Sequence, residues 1–359
     1  MRATEVNNVE KEQPTISVVI PVFNKAETIS RAILSVCQQS YKRIEILVVD
    51  DGSVDESVKR AKEIDDHRVR IISQSNHGQS VARNKGIHAA SGAFVAFLDA
   101  DDTWDTGHLE SMIDLVGKFP RAGMFAAGYR TELSTGRSTK LTVRGARKQM
   151  DGFILRNYFS LAARAPVIWV GAVMVPGHVF REIGGFLPGE HRGGDREMWA
   201  RIACNYEVAY IPKVSATYDC GAVGRESNKH RALQWPPMLN VLSEELRTSV
   251  AGDEKYTQGV RQYRNKVLLG FASKAILANE RAMAVAAVRE TSVFGCLSLI
   301  QITWTYILIL CPMKIASVAL KIVGSRVFFP IKKYWLRLHG IDFAYLEWLR
   351  LPKKEIQSQ

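Results

Sequence analysis

Cysteine is scarce. The five in 359 residues, Cys37, Cys204, Cys220, Cys296 and Cys311, are odd in number and scattered, and no CxxC pair occurs. That excludes a disulfide scaffold, argues against structural zinc and fits reduced, cytosolic thiols. Met1–Thr15 contains no apolar run of the kind a secretory leader needs, so the front of the chain is expected to stay in the cytoplasm. There is no internal repeat, no low-complexity tract and no basic–aromatic stripe, so nucleic acid is not the expected partner. With 47% hydrophobic and 23% charged residues the composition is globular, neither collagen-like nor disordered. What the chain has in surplus is positive charge: Lys+Arg 48 against Asp+Glu 36, a net +12. Charge of that sign asks for an anionic partner, and by itself does not choose between nucleic acid, acidic lipid and a phosphorylated substrate.

Past the polar first residues, short aliphatic runs alternate with stretches of helical period, the pattern of βαβ units in a mostly parallel, Rossmann-like sheet flanked by helices. The spacing predicts strands at Ile16–Pro21, Ile44–Asp50, Val69–Ile72 and Ala93–Leu98, with helices over Ala26–Gln39, Asp55–Ile64, Gln79–Ala90 and Thr106–Lys118. Between Gly123 and Tyr218 the pattern loosens into shorter strands (Met124–Tyr129, Ile168–Val175) and helices (Val179–Ile183, Asp195–Asn205). Asn228–Glu290 reads as helical, broken at Pro236-Pro237. The expected organisation is a polar tail over 1–14, an α/β domain over 15–225, a helical extension over 226–290 and an apolar, basic tail over 291–359.

In open α/β sheets ligands bind beyond the carboxyl ends of the strands. Two of the predicted ends are acidic: Asp50-Asp51-Gly52-Ser53 after the second strand and Asp99-Ala100-Asp101-Asp102 after the fourth. Five carboxylates facing one crevice repel one another unless cations or donors compensate. A hard divalent ion, Mg²⁺ or Mn²⁺, answers that need, with substrate phosphates completing its shell. Such an ion suits a diphosphate leaving group, whose developing charge it neutralises. Asp51 is better placed to accept a nucleobase N–H. Taken singly, DDGS reads as a turn and the Asp99–Asp101 stretch as a capped or solvated loop; their recurrence after buried strands favours chemistry.

The ordered series ISVVIPVFN (Ile16–Asn24), DDGS with its strand (Ile44–Ser53), GQSVARNKGI (Gly78–Ile87), FLDADD (Phe97–Asp102), IGGF (Ile183–Phe186) and GDREMWARI (Gly194–Ile202) resembles the family 2 glycosyltransferases over Thr15–Tyr218. Members of that family have the GT-A fold and use nucleotide sugars. The resemblance implies that Pro21 and Asn24 shape the first loop near the nucleotide and that Asp51 contacts the base. It puts Arg83 and Asn84 near diphosphate and ribose, Asp99 on the ribose side and Asp101, second acid of the DxD motif, on Mg²⁺ or Mn²⁺. Asp195 matches the catalytic base of the ED motif, where Gly194 departs from the family's usual Glu. The implied reaction is inverting: Asp195 takes a proton from an acceptor hydroxyl as its oxygen displaces a nucleoside diphosphate. A UDP-sugar heads the donors, and a glycan or lipid-linked saccharide is the implied acceptor. The Gln-x-x-Arg-Trp motif of processive members is absent, which favours single-sugar addition. Where the family often carries a Tyr-Arg-x-His style loop this chain reads DCGAVGRESNKHR, leaving Arg225, Ser227 and His230 as lid candidates. His178, His191 and His230 read as lone surface histidines, and Trp199 as packing behind the base.

Two rival readings stand beside this one. Asp99-Ala100-Asp101-Asp102-Thr103 also fits the DxDxT signature of haloacid-dehalogenase-like phosphatases, which leaves DDGS unexplained. Gly194 also suits a catalytically degenerate, membrane-tethered binding protein.

Thr291–Met313 carries no charged residue and as a helix would extend about 34 Å, enough for a bilayer core of about 30 Å. Ser298, Gln301, Thr303 and Thr305 dilute it, and a buried helix is the alternative. Lys314–Gln359 then holds nine Lys/Arg against three acids, half of the net charge, with Tyr334, Trp335 and Trp348 as interfacial anchors. Cytosolic nucleotide sugars and a basic tail both call for the inside, so the segment is expected to be re-entrant or interfacial at the cytoplasmic face, against an anionic membrane surface.

Overall fold

The structure is a computed structural model and describes residues 15–143, 151–165, 168–190, 193–222, 233–248 and 253–292. Uninterrupted aliphatic runs are stable as strands only where both faces are covered, and Ile16–Val22 (β1) is buried at every position. After Ile29–Cys37 (α1) the chain returns as Ile44–Asp50 (β2), parallel to β1 with Val22 opposite Asp50. Ser57–Lys62 (α2) leads to Val69–Ser73 (β3) on the outer side of β2, and Gln79–Ala89 (α3) crosses back to Phe94–Phe97 (β4) on the other side of β1. The reversal in the order β3-β2-β1-β4 makes the gap between β1 and β4 a topological switch point. Pairing of β4 with β1 stops at Phe97 opposite Val19, while β1 runs on to Val22, so the gap opens there. Pro21 lies in that extra length. The Val19 carbonyl accepts from Leu98 and the Val22 carbonyl from Asp51, so Pro21, two residues after Val19, faces the β4 side. No paired strand needs the N–H it lacks.

Thr103–Trp104 (β5), His108–Lys118 (α4), Met124–Glu132 (β6), Ser138–Leu141 (β7), Phe153–Ile154 (β8), Tyr158–Arg164 (α5), Val173–Pro176 (β9), Gly177–Ile183 (α6), Gly194–Asn205 (α7) and Val208–Asp219 (β10) follow. They extend the sheet to ten strands in the order β3-β2-β1-β4-β9-β6-β10-β5, with β7 on β6 and β8 on β10. The expectation of a mostly parallel sheet needs correction in this half. β9 is antiparallel to both β4 and β6, and β5, β7 and β8 also pair antiparallel, so the sheet is mixed, with its long registers parallel. The strand expected over Ile168–Val175 begins instead with a 3-10 turn at Val170–Ala172, because the Trp169 ring folds over Gly171, where a Cβ would stand 2.2 Å from it. β10 has no counterpart in the sequence reading: Pro212-Lys213 interrupts its alternation, and its register slips between Ile211 and Val214.

The helical extension consists of Met238–Thr248 (α8), Glu254–Leu277 (α9) and Arg281–Arg289 (α10). Asp253 caps α9 by accepting from the Tyr256 N–H. α9 packs on α5, where the Phe159 ring meets Tyr256 at 5.7 Å and Tyr263 at 6.2 Å. α10 folds back on α9 around Leu268, Phe271, Ala284 and Val288. Asn265 exchanges hydrogen bonds with the Ser292 backbone, fixing the start of the apolar segment. The remainder of that segment and the basic tail, like Arg225, Ser227, His191 and His230, lie outside the described residues. Among the described residues no helix is long and apolar enough to cross a membrane.

Beneath the sheet, His108 stacks 4.5 Å from the Trp104 ring with Nδ1 2.8 Å from Ser215 Oγ. Burial pushes its pKa down to about 3, outweighing the pull of Asp105. An unfolded imidazole titrates near pH 6.5. Between those values the unfolded chain binds the extra proton, so stability falls as pH drops through this window, by up to about 1.4 kcal/mol per pH unit. Urea denaturation at pH 7, 6 and 5 should show this loss, with a shallower dependence in His108→Gln.

Candidate active site at the switch point

The DDGS turn is built by its first acid. Asp50 Oδ1 accepts the Ser53 N–H at 2.9 Å, and Gly52 has φ 77, with a would-be Cβ 3.0 Å from the Asn76 nitrogen, so only glycine fits. Asn24, itself at φ 51, accepts the Val54 N–H through Oδ1 and donates its own N–H to Ser53 Oγ. The two loops at the ends of β1 and β2 are thereby tied together. Asp51, 3% exposed, accepts from Gln74 Nε2 (2.8 Å) and from the backbone of His77 (2.9 Å) and Gly78 (2.8 Å). These donors take three of about four lone-pair positions on a carboxylate, so one more N–H can be accepted.

The second acidic stretch divides similarly. Asp102 is fully buried and accepts the Asp219 N–H at 2.8 Å, tying the end of β10 to this loop. Asp99 accepts from Arg83 (2.7 Å) and Gln79 (3.0 Å), and Asp101 pairs with Lys25 at 2.7 Å. Five carboxylates in one crevice is therefore an overcount. Asp50 and Asp102 serve the backbone; Asp51, Asp99 and Asp101 remain, and protein cations already compensate the last two. Lys25 escaped the sequence reading, although its place one residue beyond PVFN at a strand end was available as a signal.

The first turns of α3 connect everything else. Gly78 holds Asp51, Gln79 and Arg83 hold Asp99, and Ser80 Oγ lies 3.4 Å from where a side chain at Gly194 would begin. Arg83 lies under the Phe186 ring at 5.4 Å, and its buried Nε has no partner among the described residues. Asn84 is committed: its Nδ2 donates to the Phe186 carbonyl at 2.7 Å and its Oδ1 accepts the Phe186 N–H at 2.8 Å. Its job in this structure is to fix the IGGF segment. The other side of that segment is held by Arg201, which bridges Glu197 and the carbonyls of Ile183 and Gly185. Trp199 packs fully buried against Phe97 and Phe186, behind the first turn of α7, as expected.

Asp195 lies in that first turn and is half-buried; no described residue donates to its carboxylate. Burial pushes up the Tyr158 and Tyr263 hydroxyls, Tyr263 to about 12, and the nearby Asp195 charge adds to both. Asp195 therefore stands between the α3 side of the crevice and the α5–α9 helices. His178 is exposed, as the sequence reading has it, with its ring 6.1 Å from that of Tyr206.

Residues 17–182 match the family described as glycosyl transferase family 2. That stretch, a little under half of the chain, carries the family 2 domain. It is 38% identical over 104 residues, 29% of its length, to an Escherichia coli UDP-Glc:alpha-D-GlcNAc-diphosphoundecaprenol beta-1,3-glucosyltransferase, WfgD, of which 41% is covered. It spans less than half the length of the curated relatives it matches. In fold it is similar to S. aureus TarS 1–349 in complex with UDP-GlcNAc, with TM-score 0.61 at 14% identity over 76% of this chain and 79% of that one. A Pyrobaculum calidifontis mannosyltransferase in complex with GDP-Man and Mn²⁺ is similar at TM-score 0.52 and 17% identity, covering 86% of this chain and 87% of that one. The family 2 match takes in Asp99 and weighs against the phosphatase reading of it. Within the matched stretch Asp101 offers a hard oxygen donor, which fits an Mg²⁺ or Mn²⁺ ion drawing most of its shell from phosphate and water. Among the described residues no cluster of three or more acidic, His or Cys side chains competes for it.

The Asn84 clamp is testable. Asn84→Ala leaves the Phe186 N–H and carbonyl without their partners and should cost about 2–3 kcal/mol in urea denaturation. Asn84→Asp, which keeps the acceptor, should lose less.

Proposed function

We propose that the chain is a metal-dependent, inverting glycosyltransferase that moves one sugar from a nucleoside-diphosphate sugar to a hydroxyl acceptor. One observation carries the reading. The start of α3, beside the switch point, touches Asp51, Asp99 and the first turn of α7. Asp51 would accept the base N–H through its remaining lone pair, while Pro21 and Asn24 shape the loop beneath it. Asp99, held by Arg83, would face the ribose, and Asp101 would hold the ion, which when bound supplies charge to neutralise the departing diphosphate. The Asp195 carboxylate would take the acceptor proton as the hydroxyl oxygen bonds to the anomeric carbon; the bond to diphosphate breaks on the opposite face and its electron pair leaves with the phosphate oxygen. A UDP-sugar is the first donor to test, given the UDP-GlcNAc in complex with TarS and the UDP-Glc in the name of WfgD. The lipid-linked substrate in that same name supports a lipid-linked or polysaccharide acceptor. The apolar and basic stretch over 291–359 supports a site of action at the cytoplasmic membrane face.

A positioned general base contributes about 10²–10⁴-fold. Asp195→Asn should lose that much turnover in a sugar-transfer assay while calorimetric donor affinity stays near wild type; an undiminished rate would remove Asp195 from the mechanism.

A further inference from the structure

Lys25 pairs with Asp101 Oδ2 at 2.7 Å, and both side chains are largely enclosed, 14% and 13% exposed. The lysine's backbone is locked in place. Its N–H donates to Ser57 Oγ at 2.7 Å, its carbonyl accepts from Thr28 and Ile29 at the entry to α1, and Ala26 N–H donates to Asp55. The loop thus aims a flexible four-carbon stem across the β1–β4 gap at the second acid of the pair. The first acid is treated differently: Arg83, 6% exposed in its side chain, is wedged under Phe186 on a helix. One cation is set in a packed helix; the other is reached from a loop by a four-carbon stem.

We propose that Lys25 is an exchangeable counter-ion, holding Asp101 while the site is empty and giving it up to the divalent ion when a diphosphate arrives to receive the ammonium. The inference rests on the metal-dependent transferase reading above and deepens it, because it makes ion and donor bind cooperatively. An ammonium and a divalent cation at one carboxylate repel each other. An ion arriving alone must drive Lys25 from Asp101 with no anion to take it, whereas an ion arriving with a diphosphate brings that anion along. Each ligand then tightens the other by the same factor.

The test titrates Mn²⁺ into the full chain, following free Mn²⁺ by electron paramagnetic resonance, with no nucleotide, with UDP and with GDP. Wild type should bind Mn²⁺ weakly alone and about tenfold or more tightly with the matching diphosphate. Lys25→Met should bind Mn²⁺ alone about tenfold more tightly than wild type and show a smaller gain from nucleotide. Lys25→Arg should keep the wild-type pattern, and Asp101→Asn should lose Mn²⁺ binding. If Lys25→Met does not fold, Lys25→Gln, which is also uncharged, should give the same order. Unchanged Mn²⁺ affinity in the uncharged variants, or no gain from either diphosphate in wild type, overturns the proposal while loss in Asp101→Asn keeps the metal reading standing. Absence of Mn²⁺ binding in every form, or equal binding in Asp101→Asn, overturns both.

Discussion

The Asp51 carboxylate is the constraint on which the rest of the site depends. It receives three hydrogen bonds from the 74–78 loop, two of them from backbone N–H groups with no strand or helix partner. Hydrogen bonds to a charged acceptor are worth about 1.5–3 kcal/mol each, and leaving such donors unpaired costs more than making them gains. That arrangement sets where α3 begins. Its first turns then determine the position of Arg83 and Gln79 over Asp99, of Asn84 against the IGGF segment and of Ser80 beside α7. A nucleobase contact at Asp51 would thus be read at the same carboxylate that holds the opposite wall of the crevice.

The chain is basic overall yet acidic at this opening, and the structure reconciles the two by local pairing. Asp99 and Asp101 face protein cations, while Asp50 and Asp102 are turned into backbone acceptors. Pairing of this kind lets carboxylates gather at one strand end without the repulsion that would otherwise favour their protonation. It also joins distant parts of the chain. Asp102 reaches the end of β10, and Arg31 on α1 donates both to the Asp101 carbonyl and to Asp219. The acidic loop is therefore braced from both halves of the sheet.

The parallel half of the fold was legible because its signals are local. β2 coincides with the expected Ile44–Asp50, and α3 ends one residue short of the expected limit. The other half depends on pairing partners distant in sequence. β5 and β8 are two residues long, and β10 carries a Pro-Lys interruption that removes the period on which a strand assignment rests. At the site, acidic side chains after buried strands were recognisable, but which of them build turns and which stay open to a ligand was not. That division depends on which backbone N–H each oxygen meets, and spacing does not encode it. Lys25 was missed for the same reason, since its relevance lies in a contact with a residue 76 positions away.

Gly194 shows how far a local departure from a family motif can be explained by packing. A Cβ there would stand 3.2 Å from Glu190 Cβ, tighter than side chains normally accept, and 3.4 Å from Ser80 Oγ, so the glycine lets the 190 loop close on α3. Ser80 Oγ donates to the Glu190 carbonyl at 3.4 Å, a long bond consistent with that close approach. A glutamate at 194 would push on Glu190 and crowd Ser80, which sits on the helix that carries Arg83. The closure has an electrostatic side as well. Burial, and then the charge of Glu197, raise the Glu190 carboxyl above its ordinary value. The missing glutamate is thus matched by tighter packing between α3 and α7, and the aspartate that follows it stays in the first turn of α7, where a general base would stand.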